Sequence, residues 1–322
     1  MKDSKSIVCL GIMVADLIGG PLSEMPERAR LMLVDEMGMY PGGCANNTAI
    51  ALARLGLPVQ LIGKVGRDPL GDFLLTALAG YGVGTHGVLR DPVVGTSATM
   101  VMIDPDGERR FIHYIGANAG LSFEDVDLKM VEKGSVLHIG GCFILPAMDG
   151  EPTARLLQKA RSAGVTTSLD TAWDASGRWL QVLAPCLPHL DYFVPNLAEA
   201  RAMTNLDEPA DVARALLDRG VRTVALKMGA DGCFILTQEG QMVRAPAYQV
   251  EVIDATGAGD AFAAGFIAGI ANDWPLEESA RLANAVGALC VSGKGAAGGV
   301  TTLEKTLEFM VSAEEYGQDI QD

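Results

Sequence analysis

The chain has 322 residues, 49% hydrophobic and 20% charged, enough to bury a large core, which excludes a disordered or fibrous protein. Its 25 Lys and Arg against 40 Asp and Glu leave a net charge of −15, which repels phosphate backbones and excludes a basic nucleic-acid face. The longest uncharged apolar run, 261–271, is well short of the roughly 20 residues that span a bilayer, and Asp16 sits where a signal peptide would be apolar, so the sequence predicts a cytoplasmic protein without membrane contact.

In chain order, the apolar run SIVCLGIMV precedes a helical period over Ala45 to Leu55, then VQLIGKV and a second helical period over Leu70 to Leu78. SVLHIG, VTTSLD, DYFVPN and TVALKMG read as buried strands, with helices near Glu151 to Ala163, Asn196 to Met203 and Ala210 to Arg219 between them. This alternation predicts an α/β fold, a three-layer α/β/α core on a mostly parallel central sheet. Two stretches break the rhythm, Leu17 to Tyr40 and Thr96 to Tyr114, and the second alternates apolar and polar residues around a DPDG turn, which is a hairpin pattern. Together, the insertions near 15–41 and 95–115 predict a small β-sheet lid on one domain that fills the chain. No linker, repeat or low-complexity tract divides it.

The 38 glycines cluster at strand-to-helix junctions, where backbone can approach a ligand, although tight turns explain part of the pattern. Six cysteines (Cys9, Cys44, Cys142, Cys186, Cys233, Cys290) form no CxxC pair and fit small buried groups in a reducing cytosol. His86, His113, His138 and His189 share no spacing that suits a metal or a Ser-His-Asp set.

The strongest chemical signal is the apolar run, glycine turn and small-residue helix of VIDATGAGDAF, 252–262. Gly257 and Gly259 leave first-turn amides bare, an anion site, and Asp260 beside it can take a proton from a hydroxyl that attacks phosphorus, or merely complement the helix dipole. Walker A is absent, and the GxGxxG of 293–298 follows a helical stretch near the chain's end, which excludes a dinucleotide fingerprint. Gly42 and Gly43 lead through Asn46 and Asn47 into a helix and can meet a polyol, with Asn46 alternatively an N-cap. Asp16 lies at the carboxyl end of the first strand. Asn196 and Glu199 at i, i+3 suit Mg²⁺ through water or an ordinary capping box. Lys227 to Gly232 ends a strand in a turn that suits either a nucleotide loop or a plain hairpin.

DATGAGDAFAAGF, GGCANNTAIALARLG and GKVGRDPLG together resemble the two signatures of the ribokinase-like (PfkB) family of carbohydrate kinases, in order and from Ile7 to about Val300. The resemblance implies ATP-dependent phosphorylation of a hydroxymethyl group on a sugar or nucleoside. It places the catalytic base at Asp260 and the anion hole at Gly257, Ala258 and Gly259. Sugar contacts fall on Asp16, Gly42, Gly43 and Asn47. ATP is bordered by Asn196, Lys227, Gly229, Gly232 and Asn284, with Mg²⁺ held through water by Glu199. A monovalent cation, K⁺, falls at Asp254, Thr256 and Gly295. Gly141 stands where ribokinases carry a sugar-binding Glu, Cys44 where they have Lys, and Ala255 where the family usually has Thr, which points away from ribose but leaves the base intact. The implied function is a small-sugar kinase; a homodimer through the lid is expected if the lid strands leave an exposed edge or apolar face. An adenosine-like nucleoside kinase is the alternative, disfavoured because the lid segments hold only Tyr40, Phe111 and Tyr114. A non-catalytic binder on the same fold would have no use for Asp260.

Overall fold

The computed structural model describes residues 6–22, 24–104 and 109–316. Among them, thirteen strands form two sheets. In chain order they are β1 Ile7–Gly11, β2 Val14–Gly20, β3 Glu36–Gly42, β4 Val59–Gly66, β5 Gly84–Asp91, β6 Ala98–Ile103 and β7 Arg109–Tyr114. There follow β8 Val136–Cys142, β9 Thr166–Thr171, β10 Tyr192–Phe193, β11 Thr223–Lys227, β12 Cys233–Thr237 and β13 Met242–Ala245.

The large sheet has the order β13-β12-β11-β10-β9-β8-β1-β4-β5 and is parallel from β5 to β11, with β12 and β13 antiparallel at one edge. The reason for three layers is visible in β1, whose five residues are all buried. Val8 and Leu10 pack into the core beneath the helices Glu151–Ser162 and Pro209–Leu217, whereas Ile7 and Cys9 pack beneath Cys44–Arg54, Pro69–Gly80, Ala258–Ala271 and Leu276–Val291. A strand apolar on both faces must be covered on both. No helix among the described residues is long and apolar enough to cross a membrane.

The second sheet is the lid, in the order β3-β2-β6-β7, with β2 and β6 parallel and the outer pairs antiparallel. It arises where SIVCLGIMV divides. The run leaves the large sheet at Gly11, where a Cβ would fall on the Gly140 carbonyl, and enters the lid at Val14. Asn118 clamps the crossing by accepting from Met13 N (3.2 Å) and donating to Met13 O (2.9 Å). Strands β6 and β7 pair as the alternation predicts, while Pro105 to Gly107 of the DPDG turn lie outside the described residues. DYFVPN contributes only two strand residues, because Pro195 has no N–H to continue the ladder. The polar, glycine-containing edge strand β5 lacks the apolar run of its neighbours in the large sheet, while at the other edge β12 is buried throughout and β13 alternates exposed and buried residues.

Two helices that carry site residues, Ala258–Ala271 and Leu276–Val291, meet at glycine. A Cβ on Gly265 would stand 2.8 Å from Ala283 Cα and 2.9 Å from Leu282 O. Alanine there would gain up to about 1 kcal/mol of helix propensity. Overpacking against backbone costs about 1–3 kcal/mol and wins. Gly265→Ala is expected to lower the urea midpoint without changing the slope; a raised midpoint would show that the crossing relaxes freely.

Candidate active site

The Asp16 carboxylate lies flat against Gly42, across the β2–β3 pairing, and a Cβ on Gly42 would fall on its Oδ2. Burial pushes the Asp16 carboxyl up to about 6, a hydrogen bond with Thr99 opposing the rise and the charge of Asp254 adding to it. Gly43, at φ 95°, caps the helix Cys44–Arg54 without a side-chain hydrogen bond, so its first-turn amides stay open. Asn46 is not that cap: it is buried and donates to Gly42 O at 3.2 Å. Asn47, on the next position, donates Nδ2 to Asp260 Oδ2 at 2.8 Å, and Thr48 Oγ1 donates to Asp260 O at 3.3 Å. The Asn47 Oδ1 is buried with no partner among the described residues, an acceptor that a bound hydroxyl would satisfy.

Gly257, at φ 76°, is the N-cap of Ala258–Ala271, again without a side-chain cap. It must be glycine because a Cβ would fall on Ala296 O. The amides of Ala258 and Gly259 therefore begin a helix whose positive end is free, and Ala258 N makes only a long 3.4 Å contact with Ala255 O. Asp260 sits within this turn. Desolvation first, then the charge of Asp170, pushes its carboxyl up to about 7, against the hydrogen bonds from Asn47 and Cys44 and the charge of Lys227. A group poised there can exist in either protonation state near neutrality.

Lys227, at the end of β11, reaches across β10 to Asp170 at the end of β9, with Nζ 2.7 and 2.6 Å from the two carboxylate oxygens. Asp170 is buried and Lys227 nearly so. Burial opposes the ammonium charge, but Asp170, with Glu199 and Asp260, more than offsets it, so Lys227 holds its proton above the ordinary range. Its Nζ stands 3.1 Å from where a Cβ on Gly259 would be, directly beneath that open helix end. Asn196 and Glu199 form a full capping box, the Asn196 side chain accepting from Glu199 N (2.8 Å) and Glu199 Oε2 from Asn196 N (3.3 Å). Glu199 also accepts from Thr171 Oγ1 at 2.8 Å. The capping role and a water-mediated metal role are compatible, since each carboxylate oxygen has two lone-pair directions. Asp170, Glu199 and Asp260 surround a single ammonium and leave an excess of negative charge, but among the described residues no group of three or more acidic, His or Cys side chains converges to hold a metal by itself, so a divalent cation here would need phosphate oxygens as ligands.

All five expected nucleotide-bordering residues, Asn196, Lys227, Gly229, Gly232 and Asn284, line one cavity of about 430 Å³, together with Gly259 and the apolar Val250, Val252 and Phe262. Its volume and apolar walls suit a flat heterocycle. Asn284 donates Nδ2 to Ala245 O and Pro246 O, both 2.9 Å, which leaves its carbonyl oxygen to offer. The Gly229–Gly232 turn is both a hairpin turn, between β11 and β12, and a wall of this cavity. Val252 and Ile253 are exposed loop residues, not a strand, and Val252 faces the cavity.

Asp254, Thr256 and Gly295 also come together. Asp254 Oδ1 accepts from Thr256 N (2.7 Å), Oδ2 accepts from Gly295 N (2.9 Å), and Arg109 of the lid places Nη2 2.6 Å from Oδ1. Beside them a second cavity, of about 780 Å³, lies between the lid edge and this loop and is lined by Gly38, Tyr40, Arg109, Asp254 and Gly295.

Asp170, Thr99 and Arg109 were not singled out from sequence. Asp170 has the position expected of Asp16, an acid at the carboxyl end of a parallel strand of the large sheet; Asp16 instead lies within the lid strand β2, because the chain leaves the large sheet at Gly11. Thr99 is opposite Asp16 and pairs with His113, whose ring nitrogen lies 3.0 Å from its hydroxyl, a row legible only once the lid register is known.

A family model described as pfkB family carbohydrate kinase matches residues 4–303. The chain is 29% identical over 330 residues to a probable chloroplastic fructokinase-6 of Arabidopsis thaliana, covering 97% of this chain and 84% of that one. It is 33% identical over 275 residues to an ATP-dependent ribose-1-phosphate kinase of Halopiger xanaduensis, covering 85% and 88%. The structure of Arabidopsis thaliana ribokinase complexed with ribose and ATP superimposes with a TM-score of 0.82 at 23% identity, over 95% of this chain and 99% of that one, which shows a shared fold. A family match over most of the sequence, on a fold that gathers its signature residues around one open helix end, places this chain in the pfkB family of carbohydrate kinases.

Proposed function

We propose that the protein is an ATP-dependent kinase of a small, neutral carbohydrate, acting in the cytoplasm as one catalytic unit with a lid. The observation that carries this reading is the place of Asp260. It follows Gly259, which lines the nucleotide-sized cavity, and it is hydrogen-bonded to Asn47 in the first turn of the helix that starts after the Gly42 contact with Asp16. The acidic Asp16 accepts hydroxyl donors and repels anionic acceptors, which favours an uncharged sugar. The six free cysteines, five of them buried, suit a reducing compartment.

In this mechanism, Asp16, the Gly42–Gly43 backbone and Asn47 orient the sugar so that a primary hydroxyl meets Asp260. As that oxygen attacks the γ-phosphorus, its proton passes to Asp260, and the bond from phosphorus to the ADP oxygen breaks. The open amides of Gly257, Ala258 and Gly259, with Lys227 beneath them, stabilise the charge on the transferred group, an effect commonly worth about 3 kcal/mol per donor. Glu199, through water, would hold Mg²⁺, which when bound would draw charge from the phosphate oxygens. Asn196, Gly229, Gly232 and Asn284 border the nucleotide. Lid closure excludes water, which would otherwise compete as acceptor.

An ADP-release screen with Mg·ATP against ketoses, aldoses, sugar acids, sugar phosphates and nucleosides tests the reading. A neutral sugar is expected to be the best acceptor, and Asp260→Asn is expected to lose roughly a thousandfold or more in kcat while still binding that sugar by thermal shift. Undiminished turnover in the variant would contradict the mechanism, and a nucleoside as best acceptor would contradict the substrate class.

The outer lid face carries Met39, Leu17, Met100 and Ile112 in one row across all four strands, each 39–51% exposed. A second copy is the proposed cover, since such apolar rows are seldom left open. Analytical ultracentrifugation should find a dimer that Met100→Asp dissociates; a monomeric wild type at micromolar concentration would rule it out.

A further inference from the structure

The seat formed by Asp254, Thr256 and Gly295 does not suit an exchangeable monovalent cation. Hard cations need several converging oxygen ligands; each oxygen here already accepts a hydrogen bond, and Asp254 Oδ1 has both of its lone-pair directions taken, one of them by a fixed positive charge. Asp254 Oδ1 takes Thr256 N and Arg109, and Oδ2 takes Gly295 N. Gly295 O accepts from Gly298 N at 2.9 Å. Thr256 O and Ala296 O face the Cys290 thiol at 3.6 and 3.3 Å. Any cation bound to Asp254 Oδ1 would also lie within a few ångströms of the Arg109 guanidinium, whose charge is fixed.

We infer that Arg109 is a lid-borne, built-in cation, which takes at Asp254 the place of an exchangeable monovalent ion. The consequence for the site follows from what Asp254 holds. Its carboxylate fixes Thr256, the residue before the anion-hole glycine, and Gly295 on the loop that packs against Gly257. Left unpaired, this largely buried charge would add to that of Asp16. Arg109 neutralises it, and because Arg109 begins β7, the neutralising charge arrives with the lid. A second, exposed link, Lys294 to Glu36 at 2.8 Å, joins the same loop to the far end of β3. Closing the lid and completing the anion hole thus become one event, with Arg109 as a positioning residue rather than a catalytic one.

The inference rests on the kinase reading for its consequence, but its test does not. The wild-type protein and Arg109→Met and Arg109→Lys variants are melted, and assayed with the best acceptor, in KCl, NaCl and choline chloride at one ionic strength. The wild type is expected to show the same melting temperature and turnover in all three salts. Arg109→Met is expected to melt lower and lose roughly ten- to a hundredfold in kcat, more than any change in sugar KM, with K⁺ or added guanidinium restoring both. Arg109→Lys should stay indifferent to the salt. A wild type that melts higher and turns over faster in KCl than in choline chloride would overturn the inference, and that arm needs no variant to fold. So would an Arg109→Met protein equal to wild type, or one whose loss neither cation restores. If no acceptor is phosphorylated, the melting arms still decide the role of Arg109, while the kinase reading alone fails.

Discussion

A carboxylate at the open end of a helix is stable there only if its surroundings decide how much charge it carries. Asp260 is walled in by Asn47, Thr48 and Cys44 from one helix and overlooked by Asp170 and Lys227 from the sheet. Holding it ionised at neutral pH costs on the order of 4 kcal/mol relative to water, taking its carboxyl at about 7 against an ordinary 3.8. The Asp170–Lys227 pair sets that balance from both sides, one member raising the carboxyl and the other lowering it. Removing either partner alone would leave an uncompensated buried charge, typically a loss of about 3–5 kcal/mol. The pair is therefore a structural and an electrostatic element at once.

The rest of the architecture brings these groups together. Asp170 and Lys227 end strands β9 and β11 on either side of the two-residue β10, all at the carboxyl edge where α/β sheets bind ligands. Asp260 and Asn284 ride on two helices whose close approach depends on Gly265. Gly42 and Gly257 leave out side chains that would strike Asp16 and Ala296, so the proposed sugar and phosphate sides both rest on backbone. The lid then adds Asp16, Thr99 and Arg109 from three neighbouring strands.

Much of this was legible in the sequence, because the relevant signals are local. The helix that starts at Gly43, the helix that starts at Gly257 and the lid strands on either side of 105–108 all follow from glycine position, periodicity and turn chemistry. The grouping of Asn196, Lys227, Gly229, Gly232 and Asn284 around one cavity follows from the family signature more than from any spacing. What stayed hidden depends on register and distance. The partner of Lys227 is 57 residues away, and the partner of Asp254 is a lid arginine in a run of two. The motif gives Asn47 a sugar contact, while its hydrogen bond to Asp260, across 213 residues, depends on the packing of two helices. SIVCLGIMV read as a single strand because nothing in a run of apolar residues announces that its last third changes sheet.

The central claim is that Asp260 is a carboxylate tuned upward by burial and by Asp170. It is tested most directly by ¹³C-carboxyl NMR titration of aspartate-labelled protein, which needs no substrate. The account predicts a carboxyl that titrates near 7, is absent from Asp260→Asn, and moves to lower pH in Asp170→Asn, where the neighbouring negative charge is gone. Deprotonation through that range would then make the base competent above it. An Asp260 that titrates in the ordinary carboxylate range near 4, or one indifferent to Asp170→Asn, would contradict the account.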